Sequence, residues 1–294
     1  MNSKKSKSII GMILASTLVL IFSGCAKERK NDTVETITSA EDNSTIESEF
    51  TSMFDVADDF SSNDSRTRAS NTILPSGAVV TFQDSTYNDG DGVECTIDFG
   101  PLKTSVPKGI LCQDGRYRSG KIHISSTKRY SVDGAVVTIS ANDNDSFFAG
   151  HDGVNLTRLT GTITLTRLTQ TSLKIDVTNA KAFNNNGSVS WQSSRTITKT
   201  VDAGPGIIGD QFEVTGQASG TNRNGENFTV TIDVPLLKKV EMGCARTFVV
   251  GKITLTNVST GKTLKIDYDP FNNKACDLTA KATINNKEFF YTVR

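Results

Sequence analysis

Apolar residues alternate with Thr, Lys and Asp through most of the chain after residue 70. A period of two is typical of strands with one buried and one solvated face. The pattern predicts seven such strands, at Ile122/Ile124, Val137/Ile139, Ile163/Leu165, Leu173/Ile175/Val177, Phe228/Val230/Ile232, Ile253/Leu255 and Leu264/Ile266/Tyr268.

Turn sequences between these segments predict antiparallel hairpins. Asn222-Arg223-Asn224-Gly225 and Asn285-Asn286 both suit turns with positive φ. Strand signals recur about every ten residues, with no amphipathic run long enough for a crossover helix. We therefore predict an all-β fold of antiparallel hairpins over residues 71–294, in a sandwich or a partly closed barrel.

Two segments of this region resemble each other. Residues 161–166 (GTITLT) precede 173–176 (LKID), and residues 251–256 (GKITLT) precede 264–267 (LKID). A duplicated hairpin and a shared composition of Thr-rich strands explain the likeness equally well.

The region before the strands is acidic. Residues 26–64 contain eleven acidic and three basic side chains and neither Pro nor Gly, so we expect a solvated tether over residues 25–70. Within it, Ser44-Thr45-Ile46-Glu47 is typical of a capping box. Apolar side chains then recur at spacings of three and four, at Ile46, Phe50, Met53, Phe54, Ala57 and Phe60. A short N-terminal amphipathic helix is predicted, which either binds a partner or docks on the β-domain.

The first 24 residues have the features of a signal peptide. Lys4, Lys5 and Lys7 precede an apolar run over residues 9–22, which is too short to span a membrane. Phe22-Ser23-Gly24-Cys25 resembles a bacterial lipobox, in which the cysteine is acylated and becomes the first residue. The alternative is an ordinary secretory signal with a chance cysteine. We expect a lipid anchor, such as palmitate, on Cys25.

Lipoprotein sorting rules bear on the membrane that receives the anchor. Ala26 stands where an aspartate can retain lipoproteins in the inner membrane, so the outer membrane is favoured. The sequence does not distinguish the periplasmic face from the cell surface.

Charge and motif content narrow the function classes. The chain has 32 basic and 32 acidic residues, so no net charge draws it to nucleic acid. It contains two histidines, and no nucleophile elbow, phosphate-binding loop or His-Glu-x-x-His motif. His123 is predicted to face solvent and His151 to lie in a loop. We expect no enzymatic activity and no cofactor.

Four further cysteines follow Cys25 in a chain expected to reach an oxidising compartment. Two local disulfides, Cys95–Cys112 and Cys244–Cys276, are favoured among three possible connectivities. A zinc site built from all four is the rival interpretation, although the chain has no Cys-x-x-Cys pair. The acidic loops at residues 88–94 and 142–145 are candidates for calcium, with ordinary turns as the alternative.

Basic residues gather in one short segment. Arg116, Arg118 and Lys121 are candidates for binding an acidic sugar or protein partner, with a solvated surface as the alternative.

Several motifs together resemble an uncharacterised lipoprotein family of Bacteroidota. They are residues 97–100 (IDFG), 114–116 (DGR) with 118–122 (RSGKI), 219–225 (SGTNRNG) and the Cys244/Cys276 pair. The likeness covers most of residues 77–294. It implies an all-β fold and an envelope location, and it implies no activity. The connection from Pro101 to Leu111 is longer than the family pattern.

These observations predict a non-catalytic envelope lipoprotein that binds an unknown protein or glycan partner or has a structural role at the outer membrane. One alternative is a fimbrillin-like assembly subunit, for which Arg66 and Arg68 before Ala69 would supply a processing site. Another is a glycan-acting hydrolase, which needs two carboxyl groups facing each other across a cleft.

Overall fold

The computed structural model describes residues 32–62, 74–85, 87, 90, 92–204, 208–241 and 248–292. It is mostly antiparallel β-structure with one N-terminal helix. The predicted all-β class of antiparallel hairpins with an N-terminal helix is confirmed. Among the described residues, no helix is long and apolar enough to cross a membrane. The predicted signal peptide and Cys25 lie outside this part of the chain.

The chain divides into two compact units. Of the described residues, those within Glu49–Ser188 belong to the first unit, and residues 32–48 and 189–292 belong to the second. The predicted β-domain over residues 71–294 thus contributes to both. Helix α1 (Asp32–Ser62) supplies its N-terminal half to the second unit and its C-terminal half to the first.

In the first unit, β1, β2, β5, β6, β8 and β9 are antiparallel neighbours in that order. Three short strands lie off this path, where β4 pairs with β3 and β7, and β7 also pairs with β8. The strands are β1 (Val79–Asp84), β2 (Val93–Asp98), β3 (Ile110–Leu111), β4 (Tyr117–Ser119), β5 (Lys121–Ser126), β6 (Val136–Ala141), β7 (Phe148–Gly150), β8 (Thr157–Thr169) and β9 (Ser172–Asn184).

The β8–β9 hairpin shows how alternation builds this core. Leu165 lies opposite Ile175 across the pair, and both side chains are buried, as the sequence predicted. The register shifts beside Gly161, whose φ is 142°. A Cβ atom on Gly161 would lie 2.7 Å from Ala180 Cα, so the close approach of the two strands requires glycine here.

In the second unit, seven strands follow one another in antiparallel order from β10 to β16. Asn285 and Asn286, in the β15–β16 turn, have φ values of 50° and 62°, and Gly225 in the β11–β12 turn has a φ of 83°. Both predicted positive-φ turns are confirmed. The strands are β10 (Gly187–Val201), β11 (Gln211–Thr221), β12 (Asn227–Lys239), β13 (Val250–Asn257), β14 (Thr263–Asp267), β15 (Thr279–Ile284) and β16 (Lys287–Thr292).

Helix α1 differs from the predicted tether with an amphipathic segment. It begins at Asp32, twelve residues before the capping box that we expected to start it at Ser44. Residues 49–54 are all buried. Because successive residues point 100° apart around a helix, six consecutive buried residues leave no face of this part in solvent. The solvated tether that we expected is therefore not found in this part of the chain, and Glu49 is buried with the apolar residues.

Candidate functional site

The first candidate site is the basic segment that the sequence singled out. Arg116 and Arg118 lie at the β3–β4 hairpin, whose turn closes with a 2.8 Å bond from the Cys112 backbone N–H to the Arg116 carbonyl. The backbone N–H of Arg116 also donates to Asp114 Oδ1 at 3.1 Å. This tight turn brings Asp114 next to both arginines. Neither arginine faces solvent, because both side chains are buried against the C-terminal half of α1.

Arg118 is fully buried and makes a bidentate pair with Asp114. Its Nη1 donates to Asp114 Oδ1 at 2.9 Å, and its Nη2 donates to Asp114 Oδ2 at 2.6 Å. The same Nη2 donates to Ser52 Oγ at 2.7 Å and to the Ser52 carbonyl at 3.2 Å. Burial would raise the pKa of Asp114, but the hydrogen bonds and charge of Arg118 outweigh it and the pKa ends below its usual value. The pair ties one turn of α1 to the hairpin.

Arg116 pairs with Glu49 of α1. Burial raises the pKa of Glu49, although the Arg116 charge and hydrogen bond oppose it. Arg116 Nη1 also lies 2.7 Å from His151 Nε2. Since an arginine N–H can only donate, His151 must accept this bond as a neutral imidazole. Loss of solvent around the ring, followed by the Arg116 charge, lowers the pKa of His151. We call Glu49, Ser52, Asp114, Arg116, Arg118 and His151 the arginine cluster.

The predicted basic binding face is therefore wrong for Arg116 and Arg118. The two guanidinium groups hold α1 and cannot also contact an outside partner. Lys121, the third candidate, keeps half of its side chain in solvent and lies 3.4 Å from Asp98. Arg116 and Arg118 are two residues apart and both are buried, whereas Lys121 is three residues after Arg118, an odd offset that places it on the opposite side even in a continuous strand. Gly120, with a φ of 81°, separates β4 from β5.

A second set of polar contacts holds the N-terminal half of α1 within the second unit. Trp191 Nε1 donates to Asn43 Oδ1 at 2.9 Å. Arg195 Nη2 lies 3.4 Å from Glu47 Oε1. Further contacts join the helix to the β11–β12 turn, from Asn222 to Ser39 and from Arg223 to Asp42. We call these eight residues the tryptophan cluster.

The cysteines differ in part from their predicted pairing. Cys95 and Cys112 are free and buried, so the predicted Cys95–Cys112 disulfide is wrong. Cys95 lies on β2 between Phe82 of β1 and Ile124 of β5, whereas Cys112 lies in the turn beside β4. These positions belong to different strand pairings. Burial raises the pKa of Cys95 to about 12 and also raises that of Cys112, so neither is a reactive thiol.

Cys276 is disulfide-bonded. Cys244 lies outside the described residues, so the Cys244–Cys276 pairing stays a prediction. Among the described residues no group of three or more His, Cys, Asp or Glu side chains is arranged to hold a metal ion. Part of the predicted calcium loop at residues 88–94 is outside the described chain.

The other candidate loop at residues 142–145 forms a single 3-10 turn with reciprocal caps. Asp145 Oδ2 accepts from the Asn142 backbone N–H at 2.6 Å, and Asn142 Oδ1 accepts from the Asn144 backbone N–H at 2.9 Å. The carboxylate and amide oxygens thus accept hydrogen bonds from the local backbone N–H groups, as expected for an ordinary turn.

His123 lies in a hydrogen-bonded chain on the outer face of the β2–β5 pair. Its Nδ1 is 3.0 Å from Thr96 Oγ1, and its Nε2 is 2.9 Å from Asp145 Oδ1. The side chain is 37% exposed, in line with its expected orientation. Both ring nitrogens already have partners, and Gln83 Nε2 donates to the same Thr96 hydroxyl at 3.1 Å. These two hydrogen bonds fix the orientation of the imidazole.

The arginine and tryptophan clusters have almost no local signal in the sequence. Each cluster joins residues of α1 to residues far along the chain, so no local spacing reveals the contacts of the helix. The only usable signal was an excess of small polar residues in α1, which composition alone assigns to a tether.

No family model, curated protein or solved structure matches this chain.

Proposed function

We propose that this chain is a non-catalytic lipoprotein of the bacterial envelope, anchored at the outer membrane through Cys25, which acts through its β-structure as a binding or structural module. The observation that carries the proposal is the integration of α1. Most of the described side chains in the helix that follows the proposed anchor are buried, and the arginine and tryptophan clusters hold it, so an anchor on Cys25 would be attached to the folded protein itself.

The anchor would also be short. Asp32, where α1 begins, is seven residues after Cys25. At about 3.5 Å per residue, that chain spans at most about 25 Å. Such a connection keeps the β-structure close to the membrane surface, which suits a module that works there. The motif resemblance to a Bacteroidota lipoprotein family supports the same location.

The burial of α1 favours this proposal over the assembly-subunit alternative. Processing after Arg66 or Arg68 would separate α1 from the strands. Arg118 would then lose Ser52, and Trp191 would lose Asn43. Removing a helix that supplies buried apolar and polar partners would leave the strands with uncovered apolar surface and unpaired polar groups.

A binding role needs a surface, and an aromatic pair offers one in place of the basic segment. Phe271 and Phe290 stack with ring centroids 5.7 Å apart and an interplanar angle of 6°. Their side chains are 56% and 57% exposed, which is unusual for phenylalanine. Asp269 braces the loop that carries Phe271, because its carboxylate accepts from the Asn273 and Lys274 backbone N–H groups. A flat, braced aromatic surface suits a sugar ring or an apolar side chain.

Two measurements test the proposal. Cys25→Ala should move the full-length protein from the membrane fraction to the soluble periplasmic fraction, because acyl chains supply its membrane affinity. Unchanged fractionation would refute the anchor. For binding, Phe271→Ala/Phe290→Ala should abolish hits that the wild type gives on a glycan array or with a crosslinked partner. Val234→Ala, at an exposed apolar residue elsewhere in the second unit, is the matched control.

A further inference from the structure

We infer that one end of the second unit faces the lipid bilayer, namely the end formed by the turns at residues 222–226, 258–262 and 285–286. We call it the turn end. The inference rests on the proposed anchor at Cys25 and adds an orientation to it. It follows from the contact of the N-terminal half of α1 with one of these turns, combined with the length of chain between the helix and Cys25.

The strand register places the three turns together. Thr221 pairs with Asn227 across the first turn, and Phe228 pairs with Asn257 on the neighbouring strand. The Val258 backbone N–H donates to the Asn227 carbonyl at 2.8 Å, which joins the first and second turns. Ile284, directly before the third turn, lies opposite Leu264, which closely follows the second turn. All three turns are therefore at the same end of β11 to β16.

Helix α1 enters the second unit at this end. Asn222 Nδ2 donates to Ser39 Oγ at 2.9 Å. The backbone N–H and the Nε of Arg223 both donate to the Asp42 carboxylate at 2.7 Å. Later helix residues contact β10 further from the turns, where Glu47 meets Arg195. The N-terminus of α1 therefore points out of the unit at the turn end.

The chain length then restricts the orientation. Ser39 is seven residues after Asp32, which is about 10 Å of helix. The further seven residues to Cys25 reach at most about 25 Å. At the opposite end of β10, Val201 lies eleven residues beyond Ser190, or about 36 Å along the strand. Because α1 directs the chain away from the turn end, a 25 Å connection cannot return past the turns to the Val201 end.

The surface chemistry of the turn end suits a lipid headgroup layer. Val258, the first residue of the β13–β14 turn, is 56% exposed. Lys287, directly after the β15–β16 turn, is exposed and carries an ammonium group that attracts phosphate. An exposed apolar residue and an ammonium group at the same end are compatible with the boundary between headgroups and acyl chains.

Energy transfer to a membrane dye tests the orientation. The full-length acylated protein is reconstituted into phosphatidylethanolamine and phosphatidylglycerol vesicles that contain a headgroup-labelled acceptor lipid. A clickable non-canonical residue replaces either Ser259 at the turn end or Val201 at the far end, and each carries the same donor dye. Both positions are exposed. We expect transfer from the Ser259 site to exceed that from the Val201 site severalfold.

A linker variant tests the cause of the orientation. Twenty Gly/Ser residues inserted between Ala26 and Asp32 add a coil of about 25 Å root-mean-square length. We expect this variant to float with the vesicles while the difference between the two sites largely disappears. Equal transfer in the original protein, or greater transfer from the Val201 site, would overturn the orientation while leaving the anchor intact. Failure of the acylated protein to float with vesicles would instead refute the anchor and the orientation with it.

Discussion

The indole N–H of Trp191 donates a 2.9 Å hydrogen bond to Asn43 Oδ1, and so joins strand β10 to the polar side of a helix 148 residues earlier in the chain. Both residues are buried. A buried amide oxygen that loses its donor has no water to replace it, so the pair makes the packing of α1 specific as well as stable.

Trp191→Phe should lower the free energy of unfolding by about 1–3 kcal/mol, because it leaves Asn43 Oδ1 without its donor and removes part of a buried ring. The shift in urea midpoint measures the effect. The neighbouring Gln192 also makes a side-chain hydrogen bond, to Ser219, but at an exposed position. Gln192→Met should change stability by less than about 0.5 kcal/mol. Equal effects would contradict the structural role of the Trp191–Asn43 bond.

Arg118→Met should destabilise the protein by about 3–5 kcal/mol, since Asp114 and Ser52 would lose a buried cationic partner. Thermal and urea unfolding measure this loss. Lys121→Met, three residues away on the exposed side of β5, should cost no more than about 1 kcal/mol. The double variant Arg118→Met/Asp114→Leu should recover part of the lost free energy of unfolding, because it removes the carboxylate that Arg118→Met leaves without its cationic partner. An Arg118→Met protein of wild-type stability would show that Arg118 does not hold α1.

The stability of the arginine cluster should fall on acidification below the ordinary His151 pKa of 6.5. The pKa of His151 is lower in the folded state than in the unfolded state. His151 therefore contributes to the free energy of unfolding at pH values above its unfolded pKa, and this contribution is lost as the pH falls through its folded pKa. Protonation converts the acceptor of the Arg116 hydrogen bond into a second cation. His151→Gln should abolish this pH-dependent contribution. It is measured as the difference between the urea-unfolding free energies of wild type and variant at each pH. A difference that does not change with pH would contradict the assignment.

Cys95 and Cys112 should resist maleimide under native conditions and react fully in denaturant, because both thiols are buried and their pKa values are raised. Intact-mass spectrometry counts the modified thiols. Peptide mapping without reduction should find Cys276 linked to Cys244. Rapid native labelling of Cys95 or Cys112 would contradict their burial, and a peptide that links Cys95 to Cys112 would contradict the free thiols.

Much of the β-structure could be predicted because its signals are local. The alternation at Ile163/Leu165 and Leu173/Ile175/Val177 indicated β8 and β9, and Asn285-Asn286 indicated the last hairpin turn. Strand periodicity and turn chemistry each depend on a few neighbouring residues. They are therefore visible in a single sequence.

The candidate site could not be predicted because its contacts join residues that are distant in sequence. Arg118 looked like a surface residue because Ser52, its partner on α1, becomes a neighbour only after folding. Ser39, Asp42 and Asn43 looked like tether residues since their partners are distant strand residues. The Cys95–Cys112 pairing failed because proximity in sequence says little about which strands become neighbours in a sheet.

The polar burial of α1 also sets an order of events during folding. The helix is synthesised before every strand, yet the hydrogen bond of Ser39 cannot form until Asn222, 183 residues later, has been synthesised. A helix rich in Ser, Thr and Asp has little stability of its own. Closing so long a loop has an entropic cost that must be met before any contact offsets it. We therefore expect α1 to consolidate late, after the β11–β12 hairpin has formed, so that the first segment to emerge is among the last to acquire its final structure.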